Sequence, residues 1–225
     1  MHTGTGQVLE LILEDGKRYV RVSCPSRLIP APGQYLLASD GSDSPLPVPL
    51  FHSDFAAQGF VAAAPATAGW GPGLALHLHG PLGRGFSLPL AARRVGLVAW
   101  DDAPVRLKGL IRPALKQDAA VVLMSNTTPG DLPDDVEVQP LSNLSDILEW
   151  ADYAAFDVAR ENLQQLREQL GNRSQLSKAR NVQVLIRTAI PCGGIAECGV
   201  CAVTLKSDWK LACKEGPVFD WSELD

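Results

Sequence analysis

The chain has 225 residues, 46% hydrophobic and 20% charged, which suits one large domain or two small ones with a proper core. Its net charge is −5 at pH 7, with Lys and Arg scattered, so no basic stripe marks a nucleic-acid or anionic-membrane surface. No uncharged apolar run approaches the roughly 18 residues of a membrane helix, and the first twenty residues lack a basic start followed by an apolar stretch. The expectation is a cytoplasmic protein with neither nucleic acid nor membrane as partner.

In chain order, 7–13, 18–24, 34–39, 60–64 and 74–79 are short apolar or alternating runs that read as strands. Turn signals separate them: Asp15-Gly16, Pro30-Ala31-Pro32-Gly33, Gly41-Ser42-Asp43 and Gly69-Trp70-Gly71-Pro72-Gly73. Short strands at this spacing predict a small antiparallel barrel. The three alternating prolines of 44–49 predict an edge or a connection, because proline cannot donate to a ladder.

After a connection at 81–92 the pattern changes. Strands are expected at 95–100, 119–125, 136–141, 153–158 and 182–186. Helices are expected near 105–116, shortened or kinked by Pro113, and at 144–150 and 161–170, the last with Gly171 at the C′ position. This alternation predicts a parallel α/β sheet. After the first of these strands a dinucleotide site would need glycines at a helix N-terminus. The chain instead has Asp101-Asp102-Ala103-Pro104, two carboxylates that would repel a pyrophosphate. The expectation is that one of them caps the following helix and that NAD(P) binding is weak or lost.

Five cysteines are present, and Cys192, Cys198, Cys201 and Cys213 fall in the last part of the chain. A disulfide framework would spread its cysteines and favour an even count. The C-x5-C-x2-C-x11-C spacing approaches the C-x4-C-x2-C and distant fourth cysteine of plant-type [2Fe–2S] sites. One compact loop would supply three thiolates and a later segment the fourth, while glycines at 193, 194 and 199 let backbone N–H groups reach the sulfurs. Structural zinc on the same four thiolates is the alternative, although such sites more often pair two tight knuckles; unligated thiols are the third reading. Cys24 reads as a buried structural thiol. His77 and His79 share one strand face without an evident third metal ligand. The tryptophans read as core or interface anchors, with Trp209 placed to shield a cluster.

The stretch from Pro191 to Trp221 (PCGGIAECGVCAV…LACKEGPVFDW) resembles the electron-transfer subunit of the NAD-linked bacterial dihydroorotate dehydrogenases. The segments PAPGQYLLAS, from Pro30 to Ser39, and HGPLGRGF, from His79 to Phe86, resemble the flavin domain of that family. The resemblance implies a ferredoxin-reductase-like build: a flavin-binding antiparallel β-barrel, a small parallel α/β nucleotide domain and a C-terminal [2Fe–2S] segment, divided here as 1–90, 91–187 and 188–225. It implies Cys192, Cys198, Cys201 and Cys213 as cluster ligands, and a relay of electrons between NAD and a flavoprotein catalytic subunit in a hetero-oligomer.

That family's barrel carries an Arg-x-Tyr/Phe-Ser motif whose arginine pairs with the flavin phosphates. Here the matching stretch is Pro49-Leu50-Phe51-His52-Ser53, without the arginine. Ser53 remains as a hydrogen-bond donor to FAD and His52 as a group that could stack on a ring, or else as an ordinary barrel residue. Arg84 is the candidate for a flavin phosphate, or else a solvated arginine in a linker.

No general base or nucleophile stands out, so substrate chemistry is expected to belong to the partner. The reading is an electron-transfer subunit working through a [2Fe–2S] cluster with a dihydroorotate dehydrogenase of pyrimidine biosynthesis. Two alternatives remain: a scaffold that presents a cluster to another oxidoreductase after losing FAD and NAD, and a zinc-stabilised interaction module.

Overall fold

A computed structural model of the chain describes residues 2–14, 17–42, 46–63, 69–127, 130, 132–171 and 181–224. Six antiparallel strands close into a barrel: β1 (His2–Glu14), β2 (Lys17–Ser23), β3 (Tyr35–Ser39), β4 (Val48–Ala56), β5 (Gly59–Ala62) and β6 (Ala75–Leu82), in the order β1-β2-β5-β4-β3-β6. Strand alternation sends Val20, Val22, Leu36, Ala38, Leu50, Phe60, Leu76 and Leu78 inward, where Leu28 and Trp70 join them. Asp15-Gly16 and residues 43–45 lie outside the described residues.

The proline-rich stretch does not end as a connection. Pro49 lies within β4, opposite Leu37 of β3. It is tolerated because β5 pairs with β4 only over His52, Asp54, Phe55 and Ala56, so on that side no ladder needs the missing N–H of Pro49.

The second sheet has the order β14-β11-β10-β7-β8-β9. Its strands are β7 (Arg94–Ala99), β8 (Ala120–Met124), β9 (Val136–Gln139), β10 (Tyr153–Ala159) and β11 (Asn181–Arg187), all parallel, with β14 (Val218–Asp220) antiparallel at the edge. The near-continuous apolar runs fit strands covered on both faces. Three helices flank them: α1 (Ile111–Lys116), α2 (Leu144–Trp150) and α3 (Leu163–Gly171). The helix expected over 105–116 is largely replaced by 3-10 turns at Pro104–Arg106 and Lys108–Leu110, leaving only α1, with Pro113 inside it. Gly171 is the last residue of α3, and the residues that would show its cap are not described.

The last part adds a hairpin of β12 (Ala202–Thr204) and β13 (Trp209–Leu211), then β14 and the short α4 (Trp221–Leu224). The core runs through all of this. On β3 and β4 the residues that face out of the barrel, Tyr35, Leu37 and Phe51, join one cluster with Val98, Phe156 and Val184 of the sheet and Cys201, Val203, Cys213 and Phe219 of the last segment. Burying a side chain of this size contributes about 1.5–3 kcal/mol.

Candidate metal centre

The loop from Pro191 to Cys201 winds through left-handed backbone at Gly193, Gly194, Ala196 and Gly199. At Gly194 there is also no room for a side chain, since a Cβ would stand 3.2 Å from Leu82 Cδ1 and 3.3 Å from Tyr35 Oη. Ala196 holds φ 65° without being glycine, a strain of about 1–2 kcal/mol. Its backbone N–H favours the ionised form of both the Cys192 and the Cys213 thiol.

The four cysteines are free thiols and come together two and two. Cys192 stands beside Cys198, and Cys213 beside Cys201. Burial works against ionisation of Cys192. The Cys198 side chain and the N–H groups of Glu197, Cys198 and Ala196 outweigh it and hold the Cys192 thiol at about 6. Cys213 is pushed up to about 12, by burial first and then by Cys201 and the charge of Cys192. Cys201 and Cys213 are 1% and 2% exposed, Cys192 is half-buried and Cys198 is exposed. The centre therefore has an inner pair walled by the core and an outer pair open to solvent.

Among the described residues no three His, Cys, Asp or Glu side chains converge as ligands of one metal ion. Two pairs of thiols with amide N–H groups that favour their ionised forms fit a group with two metal centres, and four cysteines ligate a [2Fe–2S] cluster. Its chemistry when bound is to take up and release single electrons.

The segment is anchored to the rest of the fold. Tyr35 Oη donates to the carbonyl oxygen of Cys213 at 3.0 Å, and Ala212 N–H donates to Cys201 O at 3.0 Å. The Tyr35 ring lies 5.3 Å from that of Phe51, over which Arg106 sits at 5.9 Å. Nothing in the sequence singles out Tyr35, which reads only as a strand residue. Trp209, the expected shield, is 59% exposed at the hairpin end opposite Thr204; Tyr35 is an aromatic residue that does lie against the centre. Cys24 packs beside the barrel core, and burial pushes its thiol up to about 11.

The residues named for a flavin have separate surroundings. His52 is fully buried, stacked on Phe60 at 6.1 Å and in edge contact with Phe55 at 4.4 Å. A Cβ at Gly109 would come within 2.5 Å of its Nδ1, so its faces are already packed and offer nothing to a flavin ring. Ser53 lines a cleft of about 510 Å³ with Tyr19, Arg21, Lys108 and Arg112. Arg21 pairs there with Glu10 at 3.1 Å and Arg112 with Asp54 at 3.4 Å. Arg84 bonds Asp220 at 2.5 Å and Glu223 at 3.2 Å, which ties the linker to the C-terminal segment instead of a phosphate.

Ligands of open α/β sheets bind outside the carboxyl ends of the strands where the strand order reverses, here between β7 and β10. That crevice holds an ion-pair cluster. Arg106 pairs with Asp102 at 3.4 Å and Asp157 at 3.1 Å, while Arg187 pairs with Asp157 at 2.8 Å, Asp102 at 3.5 Å and Asp101. The expected helix cap is not made by side chains: the turn after Asp102 starts at Ala103 without one. Asp101 instead accepts from Ala159 N–H and Asn162 Nδ2 at 2.9 and 2.7 Å. The carboxylates are drawn to the two arginines and to the next strand end.

Beside the outer cysteines runs a groove of about 640 Å³, lined by Thr3, Thr5, Leu37, His77, His79, Cys192 and Ile195 among others. Ile195 and Val200 are 62% and 42% exposed. No helix among the described residues is long and apolar enough to cross a membrane.

Residues 191–225 match the family model of the iron–sulfur cluster binding domain of dihydroorotate dehydrogenase B. By fold the chain is similar to one from the structure of the NADH-dependent reduced ferredoxin–NADP oxidoreductase, with TM-score 0.75 and 16% identity over 100% of this chain and 91% of that one. It is also similar to the ferredoxin reductase in carbazole 1,9a-dioxygenase, with TM-score 0.61 and 13% identity over 77% and 66%. A third is ferredoxin-NADP+ reductase from Plasmodium falciparum, with TM-score 0.59 and 8% identity over 81% and 95%. No curated protein matches the chain by sequence. The fold is ferredoxin-reductase-like, and its C-terminal segment is similar to the iron–sulfur cluster binding domain of dihydroorotate dehydrogenase B.

Proposed function

We propose that the chain is an electron-transfer subunit that passes single electrons through a [2Fe–2S] cluster on Cys192, Cys198, Cys201 and Cys213, to or from a flavoprotein partner. The observation that carries this reading is the two-and-two pairing of the thiols around the N–H groups of Ala196, Glu197 and Cys198, inside the segment that matches the cluster-binding family. The family match makes a dihydroorotate dehydrogenase the partner of choice, in a cytoplasmic hetero-oligomer serving pyrimidine synthesis. Electron exchange would use the outer edge, where Cys198 is exposed between Ile195 and Val200.

A second reading is favoured by specific observations: a scaffold that presents the cluster but holds neither FAD nor NAD. Asp101, Asp102 and Asp157 occupy the strand-end crevice with their arginines, Arg84 is engaged by Asp220 and Glu223, and His52 is packed on all sides.

One sample tests both readings. The visible spectrum of anaerobically purified protein is recorded before and after dithionite, with iron, zinc and flavin quantified. Bands above about 400 nm that bleach on reduction, with about two irons per chain, support the relay. Flavin alongside supports the FAD-bearing subunit and its absence the scaffold. A colourless protein holding zinc overturns both.

A further inference from the structure

One cation near the centre has no part in the assignments above. Arg160 follows β10 directly and opens the 3-10 turn Arg160–Asn162. Its Nη1 donates to the carbonyl oxygen of Val200 and, at 3.4 Å, to that of Ala202. Those residues flank Cys201 on either side, and Cys201 is the most buried of the four thiols. A second arginine continues the clamp, since Arg167 on α3 donates to Thr204 O at 2.6 Å.

Among the described residues Arg160 has one carboxylate partner, and a weak one. Its carboxylate neighbour Glu161 stands 4.0 Å away and is 71% exposed, a pair that water screens heavily. The turn that carries Arg160 is itself fixed, because Asp101 accepts from Ala159 N–H and Asn162 Nδ2. The same Asp101 pairs with Arg187 at the end of β11, five residues before Cys192. The ion-pair cluster in the strand-end crevice thus sets both approaches to the centre, the chain that enters it and the arginine that clamps it.

Reduction of a cluster adds one electron and no bond need form or break. A fixed positive charge close by favours the reduced form. A guanidinium seated on two carbonyls also offsets their partial negative charge beside Cys201.

We propose that Arg160 is a positioning residue for the cluster: seated on the carbonyls of Val200 and Ala202, it fixes Cys201 and supplies the positive charge that favours the reduced state. This rests on the cluster reading of the four cysteines, and the test separates the two. The full chain is purified anaerobically as wild type, R160Q and R160K. Iron is quantified, and each is titrated with dithionite against redox mediators while its visible and paramagnetic spectra are followed. A wild type without iron overturns the cluster reading itself.

With iron present, R160Q is expected to keep wild-type iron, and its ratio of reduced to oxidised cluster at a fixed poise to fall about tenfold. R160K, which keeps the charge, restores most of that ratio but alters the paramagnetic spectrum, because its shorter stem seats the charge differently from the guanidinium. Identical titrations for R160Q and wild type overturn the proposal. Should R160Q lose iron, hydrogen exchange in the iron-free proteins decides. Faster exchange of the amides of 199–204 than in wild type supports the clamp, and unchanged exchange overturns it.

Discussion

Tyr35, on a barrel strand, donates its phenol proton to the carbonyl oxygen of Cys213 across 178 positions of sequence. The bond lies in the buried core shared by barrel, sheet and cluster segment. Tyr35→Phe keeps the ring against Phe51 and leaves that carbonyl without its donor, at a cost of about 1–3 kcal/mol. The expected outcome is a lower melting temperature with the visible bands retained, and faster bleaching by a chelator than in wild type. Equal bleaching rates would show that the bond does not hold the segment.

Each of the four cysteines, replaced singly by serine, is expected to reduce iron content or to shift the absorption bands. Among them C201S and C213S should cost more stability than C198S, because Cys201 and Cys213 are buried and Cys198 is exposed. Cys24→Ser should leave iron and spectrum unchanged. Iron per chain in the five variants checks the assignment.

NADH added to the anaerobic protein alone should neither bleach the cluster bands nor give a calorimetric binding signal, because a pyrophosphate in the crevice would meet Asp101, Asp102 and Asp157. In the same crevice Asp157→Asn strips a 1% exposed carboxylate from two arginines. Breaking a buried pair in this way costs about 3–5 kcal/mol, read as a lower denaturant midpoint. A midpoint equal to wild type would make the ion pairs incidental.

His52 predicts a pH dependence of stability. Burial holds its pKa down at about 4 against a usual 6.5, and neither ring nitrogen has a hydrogen-bond partner among the described residues. A depressed base favours its neutral form in the folded state. Stability from this group is therefore fully present above about pH 6.5 and is lost as the pH falls from there towards 4. The loss, on the order of 3 kcal/mol, should appear as a falling denaturant midpoint and should shrink in His52→Leu. An H52L protein with the same acid sensitivity as wild type would assign it to other groups.

How far these features were legible in the sequence depends on how local their cause is. The cluster loop was readable because its chemistry is written in consecutive residues: Cys192, Cys198, Cys201 and the glycines between them. The barrel and the parallel sheet were readable from alternation and from apolar runs. Strand β4 was not, because Pro49 signals a break and only its pairing, with no β5 residue opposite, removes the penalty. Asp101 or Asp102 reads as a cap because a carboxylate before a proline usually is one; Arg187, which draws both away, is 85 positions from Asp102. Tyr35 and Arg160 escaped for the same reason, since a tyrosine in a strand or an arginine in a turn acquires a role only when a distant carbonyl is brought to it.

Strand β14 carries a consequence for the history of the chain. It lies antiparallel to β11, with Val218 opposite Leu185, so everything between them departs from one point of the sheet edge and returns to it. Such an excursion is a cassette. Its interior can gain or lose a residue while both attachment points stay in register, and closing a loop of slightly different length costs little. The five residues between Cys192 and Cys198, where plant-type sites have four, are the kind of change this arrangement tolerates. Exchange of the whole excursion between chains that share the sheet would move a redox centre only where the receiving barrel supplies the core contacts made here by Tyr35, Leu37 and Phe51.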